Sequence, residues 1–85
     1  MRKETTQIEL VQLKCNLKKI LESQNVSVNF LSKEINERRS TLNDLVNNKE
    51  MDKRMIPARI IAKLCCYLDV DICELFTVTY KDNNN

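Results

Sequence analysis

The stretch Ile35-Asn36-Glu37-Arg38-Arg39-Ser40-Thr41-Leu42-Asn43-Asp44-Leu45 decides the fold, because it has to turn a corner in a chain of 85 residues that contains no glycine. Asparagine is the non-glycine residue that best tolerates left-handed backbone, and Asn36 stands where such a turn is needed. Asn36 could equally cap the helix that follows, and the sequence leaves both readings open. Before the corner, Leu31 and Ile35 recur at i, i+4 and face inward, with Phe30 flanking them. Ser27 is placed to cap this short helix, and Val26 to staple onto Leu31 across the cap. After the corner, Leu42, Leu45 and Val46 form a second apolar stripe. Arg38, Arg39, Ser40, Asn43, Asp44 and Asn47 lie on or near the opposite face.

Working outward, Leu13, Leu17, Ile20 and Leu21 predict an amphipathic helix that ends near Gln24, with Asn25 where a glycine would usually stop it. On the other side, Asn47-Asn48 ends the helix after the corner. A charged loop with Lys49, Glu50, Asp52, Lys53 and Arg54 then leads to Pro57, suited to the first turn of a helix. Ile60, Ile61, Leu64, Cys65 and Leu68 continue that helix, and Asp71 caps a last short one carrying Ile72, Leu75 and Phe76. Five helices are expected. The segments Gln7–Leu13 and Phe76–Tyr80 have β-branched content and partial alternation, which predicts a small two-stranded sheet pairing the N- and C-terminal segments; helix extension is the rival for the first. Asp82–Asn85 is expected to fray.

At this length, with 42% hydrophobic content, the chain makes one domain over residues 1–85: a core at 13–76, an N-terminal extension at 1–12, and a C-terminal strand and tail at 77–85. No apolar run approaches the roughly 20 residues that cross a bilayer, and the start has no apolar block, so a cytoplasmic protein is expected. Cys15, Cys65, Cys66 and Cys73 include no Cys-x-x-Cys pair and there is no histidine, which points to small buried hydrophobes in a reducing compartment and to neither a metal nor a cofactor. Without histidine or a glycine-rich phosphate cradle, the enzyme classes lose their usual constellations. Residues 1–63 hold thirteen of the fourteen Lys and Arg and eight of the twelve acids, so the basic part suits a polyanion while the C-terminal part is acidic.

Two short helices around a tight corner, the second with a polar outer face, fit the helix-turn-helix pattern. The run from Leu31-Ser32 through Leu42 and Leu45 to Asn47-Asn48-Lys49 and Ile56-Pro57 resembles the Xre family of lambda-repressor and Cro-like DNA-binding domains over roughly residues 13–76. In that family a small residue, a turn glycine and two aliphatic anchors recur; here they are Ser32, Asn36, Leu42 and Leu45. Asn16-Leu17-Lys18-Lys19 before the motif and Ala62-Lys63-Leu64-Cys65 after it match the usual neighbours. The chain departs from the pattern at Glu37, normally aliphatic, at Arg38, normally a small cap, and at Val28, often a phosphate-binding glutamine.

The resemblance implies an all-α, five-helix lambda-repressor-like domain that regulates transcription: a repressor binding double-stranded DNA at a palindromic operator as a homodimer. It places Arg38, Arg39, Ser40, Asn43 and Asp44 against bases, which fits the pairing of arginine with guanine and asparagine with adenine in the major groove. Asp44 could instead be a local partner for an arginine. Asn47, Asn48, Lys49, Lys53 and Arg54 would hold phosphates. Ile72, Leu75, Phe76, Val78 and Tyr80 are the candidate dimer anchors, since the acidic, apolar C-terminal segment would be repelled by DNA. The alternative is a helix-turn-helix protein-interaction module such as an antitoxin, inhibitor or adaptor. A small-molecule ligand and a membrane partner are not expected.

Overall fold

The computed structural model describes residues 10–80, and the expectations for Gln7–Glu9 and for the tail Asp82–Asn85 lie outside them. Within that span the order is β1 (Val11–Cys15), α1 (Leu17–Gln24), α2 (Val28–Ile35), α3 (Arg39–Val46), α4 (Ala58–Leu68), α5 (Ile72–Leu75) and β2 (Phe76–Tyr80). These are five helices with a small antiparallel sheet. Helices as short as eight residues are marginal alone, so their stability comes from the apolar faces they share. Leu17 and Leu21 of α1, Leu31 and Ile35 of α2, Leu42 and Leu45 of α3, and Ile60, Leu64 and Leu68 of α4 meet Leu75, Phe76 and Cys15 in one buried cluster.

Polar side chains at the corners do the work that glycine does elsewhere. Asn25 (φ 58°), Asn36 (φ 57°) and Asp69 (φ 57°) end α1, α2 and α4 in the left-handed region. The Asn36 N–H donates to the Ser32 carbonyl, and the Glu37 N–H reaches the same carbonyl at 3.1 Å. Asn36 is thus the turn residue, and Arg38, with extended backbone and no side-chain capping bond, takes the N-cap of α3. Asn36→Gly is expected to hold or slightly raise the melting temperature. Asn36→Val, a β-branched residue at positive φ, should cost about 1–3 kcal/mol. Thermal melts of the two variants check this, and a harmless valine would contradict the left-handed turn. Ser27 caps α2, its Oγ accepting the Phe30 N–H at 3.1 Å, while at α5 the Glu74 carboxylate accepts the Asp71 N–H at 2.8 Å. Pro57 sits one position earlier than expected, as the N-cap of α4.

Four expectations are corrected. Leu13 belongs to β1, not to the α1 stripe: it pairs with Val78, as Val11 does with Tyr80 and Cys15 with Phe76. Phe30 does not flank the core but stands half exposed, because the α2 stripe that meets the core is the narrow one through Leu31 and Ile35. Cys15 is buried and Cys65 half-buried, but Cys66 and Cys73 are exposed free thiols, since α4 and α5 turn those positions outward. Burial pushes the Cys15 thiol up, against a smaller opposing effect of a hydrogen bond to the Leu17 backbone; burial and then Asp71 and Glu74 push Cys65 up. Leu75 and Phe76 are core residues of the monomer and are withdrawn as dimer anchors, while Ile72, Val78 and Tyr80 remain exposed.

Long-range polar bonds fasten the sheet and helices into one frame. The Asn16 N–H donates to the Leu75 carbonyl at 2.7 Å, and its side-chain amide donates to the Glu74 carbonyl and to Thr77 Oγ1 at 3.0 and 2.8 Å. Gln24 Nε2 donates to the Leu68 carbonyl at 2.8 Å, joining the ends of α1 and α4. Among the described residues no helix is long and apolar enough to cross a membrane.

Candidate nucleic-acid interface

The two faces of α3 have opposite characters. Leu42 and Leu45 are fully buried and hold the helix against the frame, which leaves Arg39, Ser40 and Asn43 on the outside, with Arg38 exposed at the N-cap. Within the described residues, the Arg38 and Arg39 side chains make no hydrogen bond or ion pair, although the Arg38 carbonyl accepts the Leu42 N–H at 3.2 Å. The first turn of α3 contains no acidic residue, so two cations sit at the positive end of the helix dipole, where a cation is unfavourable by about 0.3–1 kcal/mol. That placement serves the helix poorly and an incoming anion well.

The other predicted contacts divide into free and committed groups. Asn47, Lys49 and Lys53 are exposed around the end of α3 and the loop after it. Asp44 is committed: Arg54 donates to its Oδ2 at 2.9 Å, and Arg54 also donates through Nε to the Lys49 carbonyl at 3.2 Å. The local-partner reading of Asp44 fits this arrangement better than a base contact, and Arg54 braces the loop from the same bonds. Asn48 is committed too. With φ at 53°, it turns its amide onto β1, where Oδ1 accepts the Cys15 N–H at 2.7 Å and Nδ2 donates to the Cys15 carbonyl at 3.0 Å. A side-chain amide here mimics one rung of a β-ladder, so Asn48 is a brace between the loop and the sheet. At the start of α2, Val28 is half-buried and offers no polar group, as its side chain dictates.

Glu37 is the group that reading the sequence left without a role. Its side chain is only 7% exposed, and its carboxylate accepts from Arg59 Nε at 3.0 Å, an Arg59 Nη at 3.3 Å and Lys63 Nζ at 2.8 Å. The signal for Arg59 and Lys63 was available, since they lie four apart on α4, but only the fold brings that face to the corner. The Arg59 and then the Lys63 hydrogen bonds hold the Glu37 carboxyl below its ordinary value of 4.5, against a smaller opposing effect of burial. The unfolded chain therefore takes up this proton first as the pH falls. The stabilisation is whole above pH 4.5 and is lost as the pH drops through the folded value. The melting temperature of the native protein is expected to fall more steeply below about pH 4.5 than that of Glu37→Gln, measured by circular dichroism. Parallel profiles would contradict the contribution.

Known proteins share the family and the fold. Residues 16–81 match the family of Cro/C1-type helix-turn-helix DNA-binding domains. Among solved structures, a crystal structure of the transcriptional regulator VanUg superposes with a TM-score of 0.67 at 17% identity, covering 95% of this chain and 100% of that one, a likeness of fold. No curated protein matches the chain by sequence.

Proposed function

The chain belongs to the Cro/C1-type helix-turn-helix DNA-binding family, and from that premise we propose that it is a sequence-specific transcriptional repressor that binds a palindromic operator as a homodimer in the cytoplasm. The observation that carries this reading is the pair Arg38 and Arg39, exposed, unpartnered within the described residues and held at the positive end of an anchored helix. With Ser40 and Asn43 they form the base-reading row. Asn47, Lys49 and Lys53 supply the phosphate contacts, Asp44 and Arg54 act mainly on each other, and repression follows from occupying the site. Footprinting on DNA from the protein's own upstream region tests it. A protected site with two-fold symmetry is expected, and binding without sequence preference would refute it.

A single helix of this kind reads too few base pairs for a genome-scale search, so two-fold pairing is the economical solution. A second copy fits the β1–β2 ribbon. Its face through Val11, Leu13, Val78 and Tyr80 is apolar, with Val78 67% and Tyr80 53% exposed. Because Cys15 turns both backbone groups to Asn48, ladder alternation directs the Val78 and Tyr80 backbone groups to the outer edge of β2. That edge carries no charge, proline or bulge to discourage pairing. Val78→Lys is expected to convert a dimer to a monomer at tens of micromolar in light scattering while keeping a cooperative thermal transition, at a melting temperature lowered only by the lost association. A monomeric native protein at that concentration would refute the arrangement.

A further inference from the structure

Glu37 lies between the left-handed turn residue Asn36 and the N-cap Arg38, so it is the last residue before the cap of the recognition helix. A carboxylate at that point would ordinarily neutralise the two arginines next to it. Here it is drawn the other way, onto α4, by the two-point fork of Arg59 and by Lys63. A carboxylate held on both oxygens by a planar guanidinium has little rotational freedom, and with the ammonium it is fixed from two directions. The link joins α4 to the corner just before α3, two residues ahead of the helix and next to the proposed base readers. It also occupies two cations, of which Arg59 is 65% exposed and would otherwise be available to any phosphate.

We propose that the Glu37–Arg59–Lys63 cluster is a specificity device: Glu37 is a positioning residue that aims Arg38 and Arg39 into the groove and withholds Arg59 and Lys63 from non-specific phosphate binding. This rests on the DNA-binding reading above. The device raises discrimination by two routes at once, a better-aimed pair of base readers and a smaller sequence-independent attraction. A merely structural ion pair has neither effect on its own.

The two roles separate in binding measured on the footprinted site and on unrelated duplex DNA, over a range of salt, for the native protein, Glu37→Gln and Arg59→Gln, each shown folded by circular dichroism. For Glu37→Gln, the ratio of specific to non-specific affinity is expected to fall roughly tenfold, on the scale of one misaimed base contact. Non-specific affinity should rise, with a salt dependence steeper by up to about two counterions from the released cations. Arg59→Gln, at a position whose side chain is mostly exposed, should lower the ratio without steepening the salt dependence. The inference is overturned if the folded variants keep the native ratio, or if specific and non-specific affinity fall together. A native protein with no preference for any site overturns the DNA reading and this inference with it, whereas a native preference retained in both variants overturns this inference alone.

Discussion

Leu75→Asp is expected to abolish the folded monomer, with no cooperative thermal transition at 25 °C, and not merely to separate two copies. Leu75 is fully buried where α5 meets β2, beside Leu68, Cys15 and Phe76 in the same cluster. Removing a buried leucine costs about 2–5 kcal/mol. An aspartate in its place adds an unpaired charge, which puts the total above the 4–5 kcal/mol range that single substitutions seldom exceed. A small domain has about 5–15 kcal/mol to lose. Chemical denaturation followed by circular dichroism measures the effect. A variant that melts like the native protein would mean that the α5–β2 junction does not close the core. Val78→Lys, on the same strand but at an exposed position, should keep its transition.

That contrast shows where sequence suffices and where it stops. The helix count, the stop at Asn25, the cap at Ser27 and the stripe through Leu42 and Leu45 are local properties, set by period and capping chemistry within a few residues. The turn at Asn36 was legible in position but not in conformation, because the asparagine side chain suits both a left-handed residue and an N-cap. What was not legible is tertiary. Leu75, Phe76, Val78 and Tyr80 read alike as an apolar end, yet the first two are core and the last two are surface, since only the ribbon's nearest rung, Cys15 with Phe76, reaches the cluster. Asn48 reads as a phosphate ligand until β1 arrives beside it, 33 residues away in sequence. Glu37 reads as a defect in an aliphatic position until α4 supplies Arg59 and Lys63. The local pattern thus marked out the candidate interface, while distant partners decided which of its charges are free.

Arg39→Ala and Lys49→Ala are expected to weaken DNA binding in different ways, and the difference tests the assignment of α3. Arg39 is exposed in the first helical position, with its inner neighbours Leu42 and Leu45 fixed in the core, so its guanidinium can meet the two acceptors of a guanine edge. Losing that contact should cost about 1–3 kcal/mol of affinity for the native site and relax the preference at one base pair, with unrelated DNA less affected. Lys49 follows α3 in the loop that Arg54 braces, its carbonyl accepting the Arg54 Nε at 3.2 Å while its own ammonium stays in solvent. A lysine so placed is a point charge for a phosphate. Lys49→Ala should therefore weaken all duplexes alike and reduce the salt slope by about one. Titrations on the native site, on single-base variants and on unrelated DNA at several salt concentrations separate the two outcomes. If Arg39→Ala left both affinity and preference unchanged on the native site, α3 would not be the helix that reads DNA.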